Sequence, residues 1–199
     1  MRRRIFIAVN LPAEVKKKLL DYQVKWPELP ARWAKPDNIH ITLIFLGYIT
    51  EEELPAVCQA TKQVAAQNKP FLIKLDKVCY GPPKKTPPRM IWVNSEPSPE
   101  LTKIKKDLEK SLSEDVHFHQ EQRAFSPHIT LARIKGWDWK KIEPEERPEV
   151  EETLDLSFEV NSIEVMESEL KRKGPSYLVL ESAPLEDEDI EDIEDIENI

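Results

Sequence analysis

A fold that mixes strands and helices in two similarly ordered halves is predicted by three features of the 199-residue chain. Apolar runs of β type alternate with segments whose apolar residues recur at helical spacing. The order strand, helix, strand in the first half returns in the second. A tetrapeptide on a strand, His40-Ile41-Thr42-Leu43, reappears 88 residues later as His128-Ile129-Thr130-Leu131.

The elements follow in order. Arg4 to Val9 reads as a strand ending at Asn10-Leu11-Pro12, where proline suits the first turn of a helix. In that helix Val15, Leu19, Tyr22 and Trp26 form one stripe before Pro27 and Pro30 stop it. Ile39 to Leu46 is the next strand, closed by Gly47. Thr50 and Glu53 have capping-box spacing and open a helix striped by Leu54, Val57, Thr61 and Val64. Phe71 to Val78 is a third strand, Gly81 to Pro88 a Pro-rich loop, and Met90 to Val93 a short fourth strand. Ser98-Pro99 starts a helix carrying Leu101, Ile104, Leu108 and Leu112, followed by a strand from His128 to Ile134. Trp137 to Val150 reads as a connection. Leu154 to Leu170 and Tyr177 to Leu180 then alternate around Lys173-Gly174-Pro175, a hairpin signature. Residues 1–185 are expected to form one domain, and the charge-dense segment 186–199 a disordered tail.

Composition narrows the partners. The net charge is −8, from 29 basic and 37 acidic residues, but the last fourteen residues hold nine acids and no base. The body is left with 29 basic and 28 acidic residues, so a polyanionic partner is compatible with it. Two cysteines, Cys58 and Cys79, have no CxxC spacing and read as reduced and structural. The N-terminal apolar stretch spans about five residues, too short for a signal-peptide core or a membrane span, so a cytoplasmic protein away from membranes is expected.

The repeated motif carries the chemistry. With four histidines and seven threonines in the chain, about 0.14 His-x-Thr pairs are expected by chance, and two by accident has a probability below about one percent. Alternation along a strand puts His40 and Thr42 on one face, and likewise His128 and Thr130. If the halves are related by an approximate two-fold, two imidazoles flank one ligand. Phosphodiester cleavage needs that arrangement, because one group removes a proton from the attacking oxygen while another protonates the departing oxygen. The threonine hydroxyls are suited to bind non-bridging oxygens. A plainer reading makes both motifs ordinary half-buried strands. A metal site of His40, His128, His117 and His119 is a third, although no carboxylate or thiolate stands beside the motifs at ligand spacing.

Several stretches together resemble the RNA 2′,3′-cyclic phosphodiesterases, also called 2′-5′ RNA ligases, of the two-histidine (2H) phosphoesterase superfamily. These are Arg4 to Val9, Trp33, His40-Ile41-Thr42-Leu43-Ile44-Phe45-Leu46-Gly47, Arg89-Met90-Ile91-Trp92, Phe125-Ser126-Pro127-His128 through Arg133, and Ser168-Glu169-Leu170 ahead of Gly174-Pro175 and Tyr177. The resemblance implies a two-lobed, pseudo-symmetric α+β fold, with antiparallel sheets around a central cleft and helices outside. It also implies metal-independent, cofactor-free hydrolysis of a 2′,3′-cyclic phosphate RNA end to a 2′-phosphate. His40 would then be the general acid for the O3′ leaving group and His128 the base that activates water, with Thr42 and Thr130 on the phosphate. The near-symmetry of the motifs leaves that division of roles dependent on substrate orientation. Phe45 and Arg133 would contact the terminal nucleotide. Strict alternation puts both, five residues after their histidines, on the wrong face, so a bulge, twist or strand end is required. Arg89, with Lys84 and Lys85, is a candidate for the RNA path. Trp33 and Trp92 read as core residues. A monomer is expected. Ligation at the same site, and a non-catalytic module that binds RNA ends, are the competing functions.

Overall fold

The computed structural model describes residues 2–113, 116–121, 123–172 and 174–186. Its strands are β1 (Arg2–Asn10), β2 (Ala31–Trp33), β3 (His40–Thr50), β4 (Phe71–Gly81), β5 (Met90–Ser95), β6 (His128–Ile134), β7 (Glu151–Val160), β8 (Ser162–Lys171) and β9 (Gly174–Pro184). The helices are α1 (Ala13–Leu20), α2 (Leu54–Ala65), α3 (Pro99–Leu112) and the short α4 (Gly136–Trp139). Apart from Glu186, the acidic tail lies outside the described residues.

Local chemistry accounts for most of the boundaries. The Thr50 N–H donates to Glu53 Oε2 at 2.8 Å and the Glu53 N–H to Thr50 Oγ1 at 3.2 Å, a reciprocal box just ahead of α2. Ser98 Oγ accepts from the Leu101 N–H at 3.1 Å at the start of α3. Helix α1 ends at Leu20, earlier than its apolar stripe predicts, and tightens into a 3-10 turn over Asp21–Val24. Tyr22 and Trp26 then stack on each other at 6.3 Å, and the Trp26 indole N–H donates to the Glu149 carbonyl. This long-range anchor overrides the local period. Strand β3 does not stop at Gly47. Gly47 adopts φ +81°, which a glycine tolerates inside a strand irregularity, and the ladder to β1 resumes beyond it as far as Thr50.

All strand pairs are antiparallel, in the order β7-β4-β5-β6-β3-β1-β8-β9, with β2 added on β6. The two halves of the sheet meet at one residue pair, Ile41 with Ile129. One lobe is β3, β1, β8 and β9; the other is β2, β4, β5, β6 and β7. The alternating stretch 154–170 is two strands, not one: β7 and β8 stand near opposite ends of the sheet order, yet only Asn161 separates them. The sheet therefore curls until its ends nearly meet, and α2 and α3 pack together against it. Ile41 and Ile129 are fully buried in the central apolar cluster. Each such side chain contributes about 1.5–3 kcal/mol, so packing holds a seam that has almost no ladder hydrogen bonds.

Candidate active site

Because Ile41 and Ile129 face the core, alternation turns His40, Thr42, His128 and Thr130 to the opposite face. Extending the antiparallel register by one residue each way sets His40 against Thr130 and Thr42 against His128. The two histidines then occupy a diagonal, with residues about 7–8 Å apart in a regular ladder, which leaves room for a phosphate. All four side chains line one cleft of about 560 Å³. Beyond Ile129 the edge of β6 is taken by β2, with Trp33 opposite Ala132, so β3 and β6 diverge and the cleft opens between them.

The two residues five positions past the histidines also reach the cleft, through the same device in each strand. The ladder between β1 and β3 skips Leu43, since Ile7 pairs with Ile44 and Ala8 with Thr42. The ladder between β5 and β6 skips Leu131, since Ile91 pairs with Ala132 and Trp92 with Thr130. Each bulge falls at the fourth residue of its motif and reverses the facing of the residues beyond it. Phe45 and Arg133 thus line the cleft with the histidines. Phe45 is 46% exposed and carries the Arg4 guanidinium 4.7 Å from its ring centroid. Arg89 is not brought in. It is exposed at the foot of β5 and outside the cleft lining, where its carbonyl accepts from the Ile134 N–H; its neighbour Met90 is the one that contacts Thr130 and Arg133. Trp33, read as core, lines the cleft.

The histidines sit in different surroundings. His40 lies between Phe6, 4.9 Å away, and Tyr177, 5.2 Å away edge-on. This desolvation pushes its pKa down to about 4, the Asn38 backbone opposing and the charges of Lys16 and His128 adding to the shift. Its Nδ1 is buried and has no partner in hydrogen-bonding geometry among the described residues. Behind it, the Asn10 N–H on the paired strand donates to the buried Glu164 carboxylate at 3.0 Å, which also accepts from Ser162 and Ser182. His128 is stacked on Trp92, and burial lowers its pKa, with the Ser126 backbone opposing. Its Nδ1 is 2.8 Å from the Ser126 carbonyl. A carbonyl only accepts, so Nδ1 carries the proton and the neutral ring keeps its lone pair on Nε2.

Sequence reasoning missed most of the remaining lining: Arg4, Phe6, Arg32, Lys35, Asn38 and Tyr177 among others. Four cations, Arg4, Arg32, Lys35 and Arg133, line the cleft and no described aspartate or glutamate does, in a chain of net charge −8. His117 is exposed in the segment after α3 and outside the cleft lining; no three described His, Cys, Asp or Glu residues group as metal ligands.

Residues 9–92 and again 93–177 match the family described as LigT-like phosphoesterase, so the family unit spans each half of the chain once. Proteins named RNA 2′,3′-cyclic phosphodiesterase from Aquifex aeolicus and Thermus thermophilus are 33% and 34% identical to it. The alignments cover 87% of this chain and 89% of the first relative, and 93% and 91% for the second. A Thermus thermophilus crystal structure superposes with a TM-score of 0.79 at 33% identity, over 92% of this chain and 97% of that one. Escherichia coli LigT complexed with phosphate superposes at 0.68 and 25% identity, over 92% and 98%. With the motif strands, their matching bulges and both halves accounted for, the chain belongs to the LigT-like phosphoesterase family.

Proposed function

We propose that the protein hydrolyses 2′,3′-cyclic phosphate ends of RNA to 2′-phosphates by general acid and base catalysis. The observation that carries this reading is the meeting of both His-x-Thr motifs in one cleft lined by cations and free of described acids. The names of its relatives and the phosphate held by Escherichia coli LigT are consistent with it.

The cyclic phosphate sits between the diagonal histidines, with its non-bridging oxygens on Thr42 and Thr130. Nε2 of His128, left with a lone pair by the bond to Ser126, takes a proton from water as its oxygen attacks phosphorus. His40 gives a proton to O3′ as the P–O3′ bond breaks. The phosphate remains on O2′ as a monoester, and both rings return to their starting states by exchange with solvent. Burial alone leaves His40 neutral at pH 7. The anionic phosphate supplies the opposite charge that raises its pKa, so the acid forms when substrate is bound. Phe45 takes the terminal base and Arg133 the nucleotide's negative charge. The protein works as a cytoplasmic monomer with no cofactor.

The test is a short RNA ending in a 2′,3′-cyclic phosphate, incubated in EDTA, with the product end identified. A 2′-phosphate is expected. A 3′-phosphate, or turnover only after metal is added, contradicts the mechanism; joining to an added 5′-hydroxyl RNA in preference to hydrolysis favours the ligase reading.

A further inference from the structure

Arg32 stands directly opposite Arg133 in the register of β2 and β6. Opposed residues on antiparallel strands share a face, with Cβ atoms about 4.5–5.5 Å apart, and like charges in that position repel. Both arginines are exposed and both line the cleft. No described carboxylate pairs with either. On its other flank Arg133 is opposite Met90, whose sulfur lies 3.8 Å from the Arg133 guanidinium and 4.0 Å from the Thr130 hydroxyl. A row therefore runs from Thr130, which faces the reacting phosphate, past the Met90 sulfur to Arg133 and one strand further out to Arg32. The Arg32 guanidinium reaches across to the other lobe: a Cβ placed on Gly174 would lie 3.6 Å from its Nη1. Arg4 is engaged on the Phe45 ring and Arg32 is not. An uncompensated pair of guanidiniums, one strand beyond the reacting centre, is a fork for an anion other than the one being cleaved.

We infer that Arg32 and Arg133 together bind the internucleotide phosphate on the 5′ side of the terminal nucleotide, so that the substrate is an RNA end of at least two nucleotides and not a lone cyclic mononucleotide. The inference rests on the phosphodiesterase reading above for the direction of the strand. It assigns to Arg32, on a three-residue strand between Pro30 and the first motif, the choice between RNA and mononucleotide.

The test compares equilibrium binding of uridine 2′-monophosphate with that of diuridine ending in the same 2′-phosphate, at several salt concentrations, for the wild type, Arg32→Ala and Arg32→Lys. The wild type is expected to bind the dinucleotide at least tenfold more tightly. Arg32→Ala brings that ratio to within about twofold of one and lowers the salt slope for the dinucleotide by about one phosphate contact. Arg32→Lys, which keeps the charge and loses the fork, falls between them. A wild-type ratio near one, or a ratio that survives Arg32→Ala, overturns the inference. Turnover of uridine 2′,3′-cyclic phosphate and of the matching dinucleotide by the wild type is followed in parallel. Absence of both turnovers breaks the phosphodiesterase reading, whereas the binding ratio decides the second phosphate site by itself.

Discussion

The indole of Trp92 lies nearly flat on the imidazole of His128, with 3.7 Å between ring centroids and 23° between planes. One face of the ring is thereby closed to water, while Ser126 fixes its Nδ1 edge. Trp92 is 7% exposed and belongs to the wall that desolvates His128 and holds its pKa below the usual histidine value. Opening that wall with Trp92→Leu rehydrates the ring. The limb of the kcat/KM profile set by His128 is expected to move to higher pH, with kcat lowered, and Trp92→Phe to restore much of both. A limb that stays in place in the leucine variant would reduce Trp92 to a scaffold residue.

Behind Trp92 the chain admits only glycine. A Cβ on Gly81 would sit 2.1 Å from the Trp92 ring. Gly81→Ala therefore forces the indole toward His128, at a cost of about 1–3 kcal/mol in unfolding free energy. Trp92→Leu frees the space, so the double variant should recover about 0.5–3 kcal/mol relative to the sum of the singles. Urea unfolding measures this coupling, and simple additivity contradicts it.

Phe45 is turned into the cleft by the bulge at Leu43, and its ring is only half covered. Base stacking on an aromatic ring is worth about 1–3 kcal/mol, so Phe45→Ala should raise KM for RNA ends about 5- to 150-fold while barely altering stability. A loss of stability with KM unchanged would return Phe45 to the core.

His40 links stability to pH. The native state holds its pKa near 4, against 6.5 for a free side chain, so between these values the unfolded chain takes up a proton that the native state refuses. This contribution is full above pH 6.5 and is lost as pH falls toward 4, by up to about 3 kcal/mol. Unfolding midpoints from pH 4 to 7 should fall more steeply on the acid side for the wild type than for His40→Gln. Parallel curves would mean that the ring is hydrated.

What was legible in the sequence was whatever repeats or alternates. A histidine and a threonine two apart on each of two strands announce a shared face, and the caps at Thr50 and Ser98 mark helix starts through bonds made within four residues. What was hidden depends on partners far along the chain. The bulges at Leu43 and Leu131 exist only relative to β1 and β5, so the sequence shows Phe45 and Arg133 on the wrong face. Strand β2 is three residues held by a ladder with β6, far along the chain. Alternation continues through Asn161, and nothing local reveals that the chain passes there from one lobe to the other. The cluster of charge around Arg89 was conspicuous in a loop, whereas the arginines that enter the cleft, Arg4 at the end of the Arg2-Arg3-Arg4 run and the isolated Arg32 and Arg133, lie far apart in the chain and are gathered only by folding.

The central claim is that His40 and His128 act on one phosphate as a unit. It is tested most directly by single-turnover rates and equilibrium binding of a 2′,3′-cyclic phosphate RNA for His40→Ala, His128→Ala and the double variant. Each single substitution should cost at least about 10² to 10⁴ in rate and the double little more than the worse single, because removing either group disables the same step, while RNA affinity changes far less. Full activity in either single variant, or losses that multiply in the double, would contradict the account.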